Sequence, residues 1–358
     1  MPSALPAVPF TAAALVLVTL PHHWRVGNIA TLSIIAWLTV YDLIYGINAV
    51  IWSGNVEIIA PVWCDIVTKI KIGADVGLPG CCLCMAKRLN RIAYGLEMSP
   101  RGRWHRTLDI MLCWGFPMLV MALHYIVQGH RFDIVENIGC LPAIYVSWPS
   151  LIILDLSAFI PALLALVFCL LALSKLIRRR LALVFVFHRP NPSLTPSRYI
   201  RLMIMTFFLG SWSAVLISIS SSNEYITGVL PWVSWDFVHA GFSFIGQFTT
   251  DEISPSNLRS IYILWGAVPL SSLSFFLFFG LSMDAMKDYR ACAAWVLRRP
   301  APSPPILALN TTIVSESDFG YSSYGGRPGD PEKYGPGYGF GPGASLYMNK
   351  CLPALPSP

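Results

Sequence analysis

Seven apolar runs, each near the length of a bilayer crossing, divide the chain as far as residue 281. They cover residues 5–20, 29–52, 62–86, 108–127, 151–174, 202–222 and 260–281. About 20 mostly apolar residues in a helix span the hydrocarbon core. Lipid offers no partner to a free backbone N–H or C=O, so only helices and closed barrels cross it. These runs are too long for barrel strands and lack their dyad alternation. The expected fold is therefore an all-α integral membrane protein, a bundle of seven transmembrane helices over residues 1–285. Composition agrees: 12% of residues are charged, against about 25% in soluble domains. The first run lacks the basic start and small-x-small cleavage site of a signal peptide, and reads as a retained helix.

The loops set the expected orientation. One holds Lys87, Arg88, Arg91, Arg101, Arg103 and Arg106 against the single acid Glu97. Another holds Lys175, Arg178, Arg179, Arg180, Arg189, Arg198 and Arg201 with no acid. The alternate loops carry Glu57, then Arg131 with Asp133 and Glu136, then Glu224, Asp236, Asp251 and Glu252 before Arg259. Basic loops stay in the cytoplasm, so the N-terminus is expected outside and the C-terminus inside. The net charge of +6 then faces an anionic membrane leaflet and calls for no nucleic acid. Residues 286–358 are rich in Gly, Pro and Tyr and read as a disordered cytoplasmic tail. Ser315 and Ser317 in it are candidate phosphorylation sites. Seven spans with this orientation and two basic inner loops are the plan of a G-protein-coupled receptor.

Cys64 and Cys140 are the cysteines expected on the outer side, where a disulfide persists; they read as a bridge, with two unpaired thiols as the alternative. Asp65, Lys69, Lys71 and Asp75 interrupt the third run. A charge at the bilayer centre is costly, so such groups face the bundle interior and pair. Asp65 with Lys69, and Lys71 with Asp75, are four residues apart and fit intrahelical ion pairs. The same residues fit a polar pocket wall, with Tyr41, Asp42 and Asp155 as further polar groups. Cys81, Cys82 and Cys84 have no accompanying His, so no metal site is expected. Pro79, Pro117, Pro161 and Pro269 mark kinks. No GxSxG, HExxH, P-loop or carboxylate-pair motif is present, so the chain reads as a non-enzyme without a cofactor.

Several phrases together resemble the fungal mating-pheromone receptors of the lipopeptide (a-factor) branch, class D of the G-protein-coupled receptors. They are "HHWRVGNIATLSIIAWL", "INAVIWSGN", "PVWCDIVTKIKIGADVGLPGCCLCMAKRLNRI", "RYIRLM", "VSWDFVHAGFS" and "FFLFFGLSMDAMKDYR". They run in family order from about Pro21 to Arg290. The absence of DRY after the third span and of NPxxY in the seventh fits class D. The stretch "FSFIGQF" is more apolar than the family leads one to expect. The resemblance implies a basidiomycete source and a plasma-membrane receptor for a secreted peptide with a farnesylated, methyl-esterified C-terminal Cys. It implies a heterotrimeric G protein that feeds a mating kinase cascade. The expected ligand wall is Asp65, Lys69, Asp75 and Asp155. The farnesyl group is expected against the outer aromatic segment of Trp232, Trp235, Phe237, His239, Phe242 and Phe244, which also fits an ordinary interfacial belt. The expected G-protein surface is Lys87, Arg88, Arg91, Arg178, Arg179, Arg180, Arg198 and Arg201. A transporter is the competing class, though no internal repeat supports it. A receptor-like copy without a mating role, and a homo-oligomer, stay open.

Overall fold

The computed structural model describes residues 5–94, 103–178, 196–225 and 228–281, with 286 and 289. Arg179, Arg180, Ser315, Ser317 and the tail lie outside these residues, as does the side chain of Arg198.

The described residues are mostly helical. α1 (Ala7–Val18) and α2 (Leu20–Val26) meet at Thr19 and form one crossing to Arg25. That is longer than the apolar run 5–20, because Pro21 in the first turn of α2 needs no N–H donor there. α3 (Ile29–Ile51) follows, then α4 (Pro61–Ala93), the longest at 33 residues. α5 (Arg103–Ile110), a π turn over Met111–Gly115, α6 (Phe116–Leu123) and a 3-10 turn over His124–Val127 make the next crossing. α7 (Trp148–Ser150) and a π turn over Leu151–Asp155 lead into α8 (Leu156–Arg178). α9 (Pro196–Tyr225), the short α10 (Trp235–His239) and α11 (Pro255–Phe279) complete the series.

Six of these crossings are long and apolar enough to span a membrane. The seventh, α4, carries too many charged residues to be picked out by hydropathy, yet it sits at the centre. It packs against α3, α6, α8 and α9. Close approach explains part of this: a Cβ on Gly77 would lie 2.6 Å from the Trp37 indole nitrogen on α3. The periphery is apolar instead. Met118, Ile152, Leu163, Leu170 and Leu277 are exposed on the helix flanks, as lipid-facing side chains must be and as a soluble bundle would avoid. The chain is a multi-pass membrane protein.

One end of the bundle is closed by a lid that the apolar-run reading missed, because its strands have only three or four residues. β1 (Phe132–Val135) pairs antiparallel with β2 (Gly139–Leu141) and parallel with β3 (Ile245–Phe248), in the order β2-β1-β3. The hairpin turn is pinned to the end of α3. Asn137 N–H donates to the Trp52 carbonyl at 2.8 Å, and Gly54 N–H to the Asn137 side-chain oxygen at 3.0 Å. Gly139 sits at φ +84°, and a Cβ there would lie 2.6 Å from Asn48 Cβ and 2.8 Å from the Trp52 ring. The opposite end of the bundle carries Lys87, Arg103, Arg106 and Arg178, all exposed.

Candidate functional site

Below the lid the bundle holds a half-open cavity of about 460 Å3. Sites for small ligands fall between about 300 and 1,000 Å3. α3, α4, α8, α9 and α11 form its walls. Most of the lining is apolar, including Leu38, Ile72, Val76, Leu216 and Leu264. The lid contributes Ile138, Leu141 and Ile144. Among the described residues, the charged groups on the wall are Lys71, Asp75 and Asp155.

Each of these charges has a partner from another element. Lys71 is only 2% exposed. Its ammonium donates to the Cys140 carbonyl in the lid at 2.8 Å and lies 4.6 Å from the centre of the Tyr45 ring. Asp75 accepts from the Tyr41 hydroxyl at 2.9 Å. It sits in the middle of the bundle but keeps an exposed side chain, because that side chain faces the cavity. Asp155 closes the π turn before α8. Its carboxylate accepts from Ser221 at 2.5 Å and from Tyr225 at 2.8 Å, both on α9. Asp42 lies apart from the cavity and is fully buried, with one oxygen accepting from Ser272 at 2.6 Å.

The intrahelical pairs expected from the spacing are replaced by contacts between elements. Asp65 accepts from two nitrogens of Arg131, at 2.8 and 2.5 Å. Lys69 bonds His124 Nδ1 at 2.8 Å and the Gln128 side-chain oxygen at 2.6 Å. His124 is fully buried, and its other ring nitrogen meets the Ala143 carbonyl at 3.2 Å. Because Lys69 must donate to Nδ1, Nε2 carries the proton and donates to that carbonyl. The fork of Arg131 fits a carboxylate through two bonds, whereas an i,i+4 Lys–Asp pair adds only a few tenths of a kcal/mol. The hydrogen bonds to Asp65 hold the Arg131 pKa above its ordinary value. Asp65 and Lys69 therefore fasten the lid, and only Asp75 of that trio lines the cavity. A third fastening is covalent: the Cys64 and Cys140 sulfurs form a disulfide with Cα atoms 5.4 Å apart.

The aromatic segment also lies outside the cavity. Trp235 stacks on His239 at 4.1 Å, and both pack with Phe242 around Tyr125. His239 is within 2.9 Å of the Tyr125 carbonyl, and Trp232 donates to the Ile126 carbonyl at 3.3 Å. Trp235, Phe237 and Phe244 remain exposed. At the basic end, Lys87 is exposed while Arg88, Arg91 and Arg201 are half-buried. Arg91 meets the His105 ring at 3.1 Å. The buried Tyr199 hydroxyl donates to the Leu89 carbonyl at 3.0 Å, tying α9 to α4. Cys84 and Cys113 bring their sulfurs to 3.7 Å, and no group of three His, Cys, Asp or Glu among the described residues could hold a metal ion.

Sequence reasoning treated Lys71 as a partner for Asp75 and passed over Tyr45, Trp212 and Trp265 as cavity residues. One signal was available for Lys71. Residues two apart on a helix point about 200° apart, so Lys69 and Lys71 cannot belong to the same wall.

A family profile described as STE3, pheromone A receptor, matches residues 4–298. The chain belongs to this family. Its STE3 relatives include the Pheromone B beta 1 receptor of Schizophyllum commune, 40% identical over 302 residues, covering 82% of this chain and 56% of the relative. Pheromone receptor 1 of Ustilago hordei is 28% identical over 286 residues, covering 78% and 79%. The Pheromone a factor receptor of Saccharomyces cerevisiae is 25% identical over 302 residues, covering 80% and 61%. The chain spans about half the length of the Schizophyllum commune relatives it matches.

Proposed function

We propose that this STE3-family chain is a plasma-membrane receptor for a secreted peptide pheromone. In this reading the peptide ends in a farnesylated, methyl-esterified Cys, and the receptor signals through a heterotrimeric G protein. The observation that carries the reading is the lidded, largely apolar cavity with a few polar groups, inside a bundle of this family. The Lys/Arg bias supports an orientation with the lid outside and the basic end in the cytoplasm. A cavity of this size encloses a ligand of drug-like mass, so it takes one end of a peptide and not the whole. Burying the lipid contributes about 25 cal/mol per Å2 of apolar area, which favours the apolar cavity over the exposed aromatic segment. That segment then acts as an interfacial belt. Signalling requires that the ligand bind one helix arrangement better than another. The readout surface is the basic end, with Lys87, Arg88, Arg91, Arg178 and Arg201 among its described residues. Arg179, Arg180 and Arg198 are assigned to the same surface from their place in the sequence, and Ser315 and Ser317 to its regulation by phosphorylation.

The test is a yeast strain without its own lipopeptide receptor, carrying a mating-pathway reporter and a compatible G protein. A response to farnesylated peptides and none to their unfarnesylated forms is the expected result. Silence across a broad pheromone panel, with the protein shown at the surface, would sink the receptor reading.

A further inference from the structure

Away from the lid, α9 and α11 are in contact: the Phe208 and Phe278 rings lie 6.3 Å apart. Towards the lid that contact lapses. Residues seven apart share a helix face, so Val215 points to the same neighbour as Phe208, yet it is 49% exposed. Ile263 on α11 is 45% exposed. No residue of 211–222 or 255–264 is buried, whereas Met205 and Leu209 on α9 and Phe275 and Phe279 on α11 are. Among the described residues, the side-chain bonds of the two stretches lead away from each other. Ser221 and Tyr225 donate to Asp155, ahead of α8. Ile217 packs with Ile72, Val76 and Ala158. Ile261 and Tyr262 pack into the main core instead, and Trp265 stacks on Tyr45 of α3.

The connection between the two helices is fastened elsewhere too. Leu230 N–H donates to the Val146 carbonyl at 2.9 Å, β3 pairs with β1, and the Gln247 side chain donates to the Val56 carbonyl at 2.6 Å. Both open stretches belong to membrane crossings. Both also line the half-open cavity, through Ser213, Leu216 and Ile217 on α9 and Ser260, Ile261 and Leu264 on α11. We propose that the seam between these stretches is a lateral portal, through which the lipid chain of a ligand passes from the lid-side leaflet into the cavity. Parting two transmembrane helices frees no backbone group, since each helix satisfies its own, and lipid tails replace the apolar contacts it removes. Entry through the lid would break the Asp65–Arg131 bonds, the Lys71–Cys140 bond and the β1–β3 pairing. It would also draw an isoprenoid chain through water, against the hydrophobic effect. The portal rests on the receptor reading for its ligand and adds the route by which that ligand arrives.

Stopped-flow binding of a dansyl-labelled S-farnesyl-cysteine methyl ester to the purified full chain in nanodiscs tests this. Changes within a binding site act mainly on the off-rate, so an equal fall in both rates marks a route and not a site. Val215→Trp combined with Ile263→Trp fills the seam with side chains outside the cavity lining. Both rate constants should fall about fivefold, and Kd should stay within about twofold of the parent. Arg131→Ala, which loosens the lid, should leave both rate constants within about twofold. In the unaltered protein, a diazirine on the farnesyl chain should crosslink to residues 211–222 and 255–264. Unchanged rates in the double Trp variant, faster rates in Arg131→Ala, no crosslink to either stretch, or no saturable binding of the probe would overturn the portal. The reporter assay judges the receptor reading separately. A silent reporter with seam-dependent rates sinks that reading alone, and pheromone signalling with rates set by the lid sinks the portal alone.

Discussion

Asp65 and Arg131 meet through two hydrogen bonds, 2.8 and 2.5 Å long, although they lie 66 residues apart. Both side chains are about one-third exposed, so solvent screening keeps their contribution to global stability small. Their effect is local, because Arg131 directly precedes β1. Arg131→Ala should speed amide exchange across residues 132–141 several-fold and leave the melting temperature nearly unchanged. The charge-exchanged pair, Asp65→Arg with Arg131→Asp, should recover part of the protection. Hydrogen-exchange mass spectrometry reads both.

The disulfide acts on a larger scale. It closes a sequence separation of 76 residues, and losing a native disulfide costs about 2–5 kcal/mol in small secreted domains. Cys64→Ser and Cys140→Ser should each lower the melting temperature in detergent and reduce surface expression. The double variant should be no worse than either single one, since either change breaks the same bond. Additive losses would show that the thiols matter separately.

Gly139→Ala is expected to be the most damaging small change in the lid. The residue sits at φ +84°, and the new methyl would collide with Asn48 and Trp52. Backbone strain of this kind costs on the order of 1–3 kcal/mol. Ligand-independent thermal stability measures it, and an unchanged melting temperature would show that the hairpin can shift off α3.

Tyr199→Phe removes the hydrogen bond from the Tyr199 hydroxyl to the Leu89 carbonyl. On the receptor reading, we propose that this bond restrains the movement of α9 from α4 at the basic end. A hydrogen bond contributes about 1 kcal/mol, about a fivefold change in an equilibrium. Reporter output without pheromone should rise by up to that factor. Unchanged basal output at equal surface expression would exclude the contact as a restraint on activation.

The bundle was legible in the sequence because lipid imposes one local rule on every crossing, long and apolar. α4 was legible too, since its charges sit in an apolar run where they need interior partners. The partners were another matter. Spacing alone pairs Asp65 with Lys69, but Arg131, His124 and Gln128 come from elements whose positions no local pattern reveals. The three- and four-residue strands of the lid give no alternation long enough to read. Trp212 and Trp265 look like two more aromatics in apolar spans; that both line the cavity is visible only in three dimensions.

Two of the lid's fastenings use no side chain that lines the cavity. The Trp52 carbonyl and the Cys64–Cys140 bond are these two, while Ile138, Leu141 and Ile144 between and beside them line the cavity. Anchoring and reading are thus divided along a few residues of one short segment. A lineage can therefore exchange the reading side chains, one at a time, without unfastening the lid. On the receptor reading, new ligand preferences lie a single substitution away from a protein that still folds.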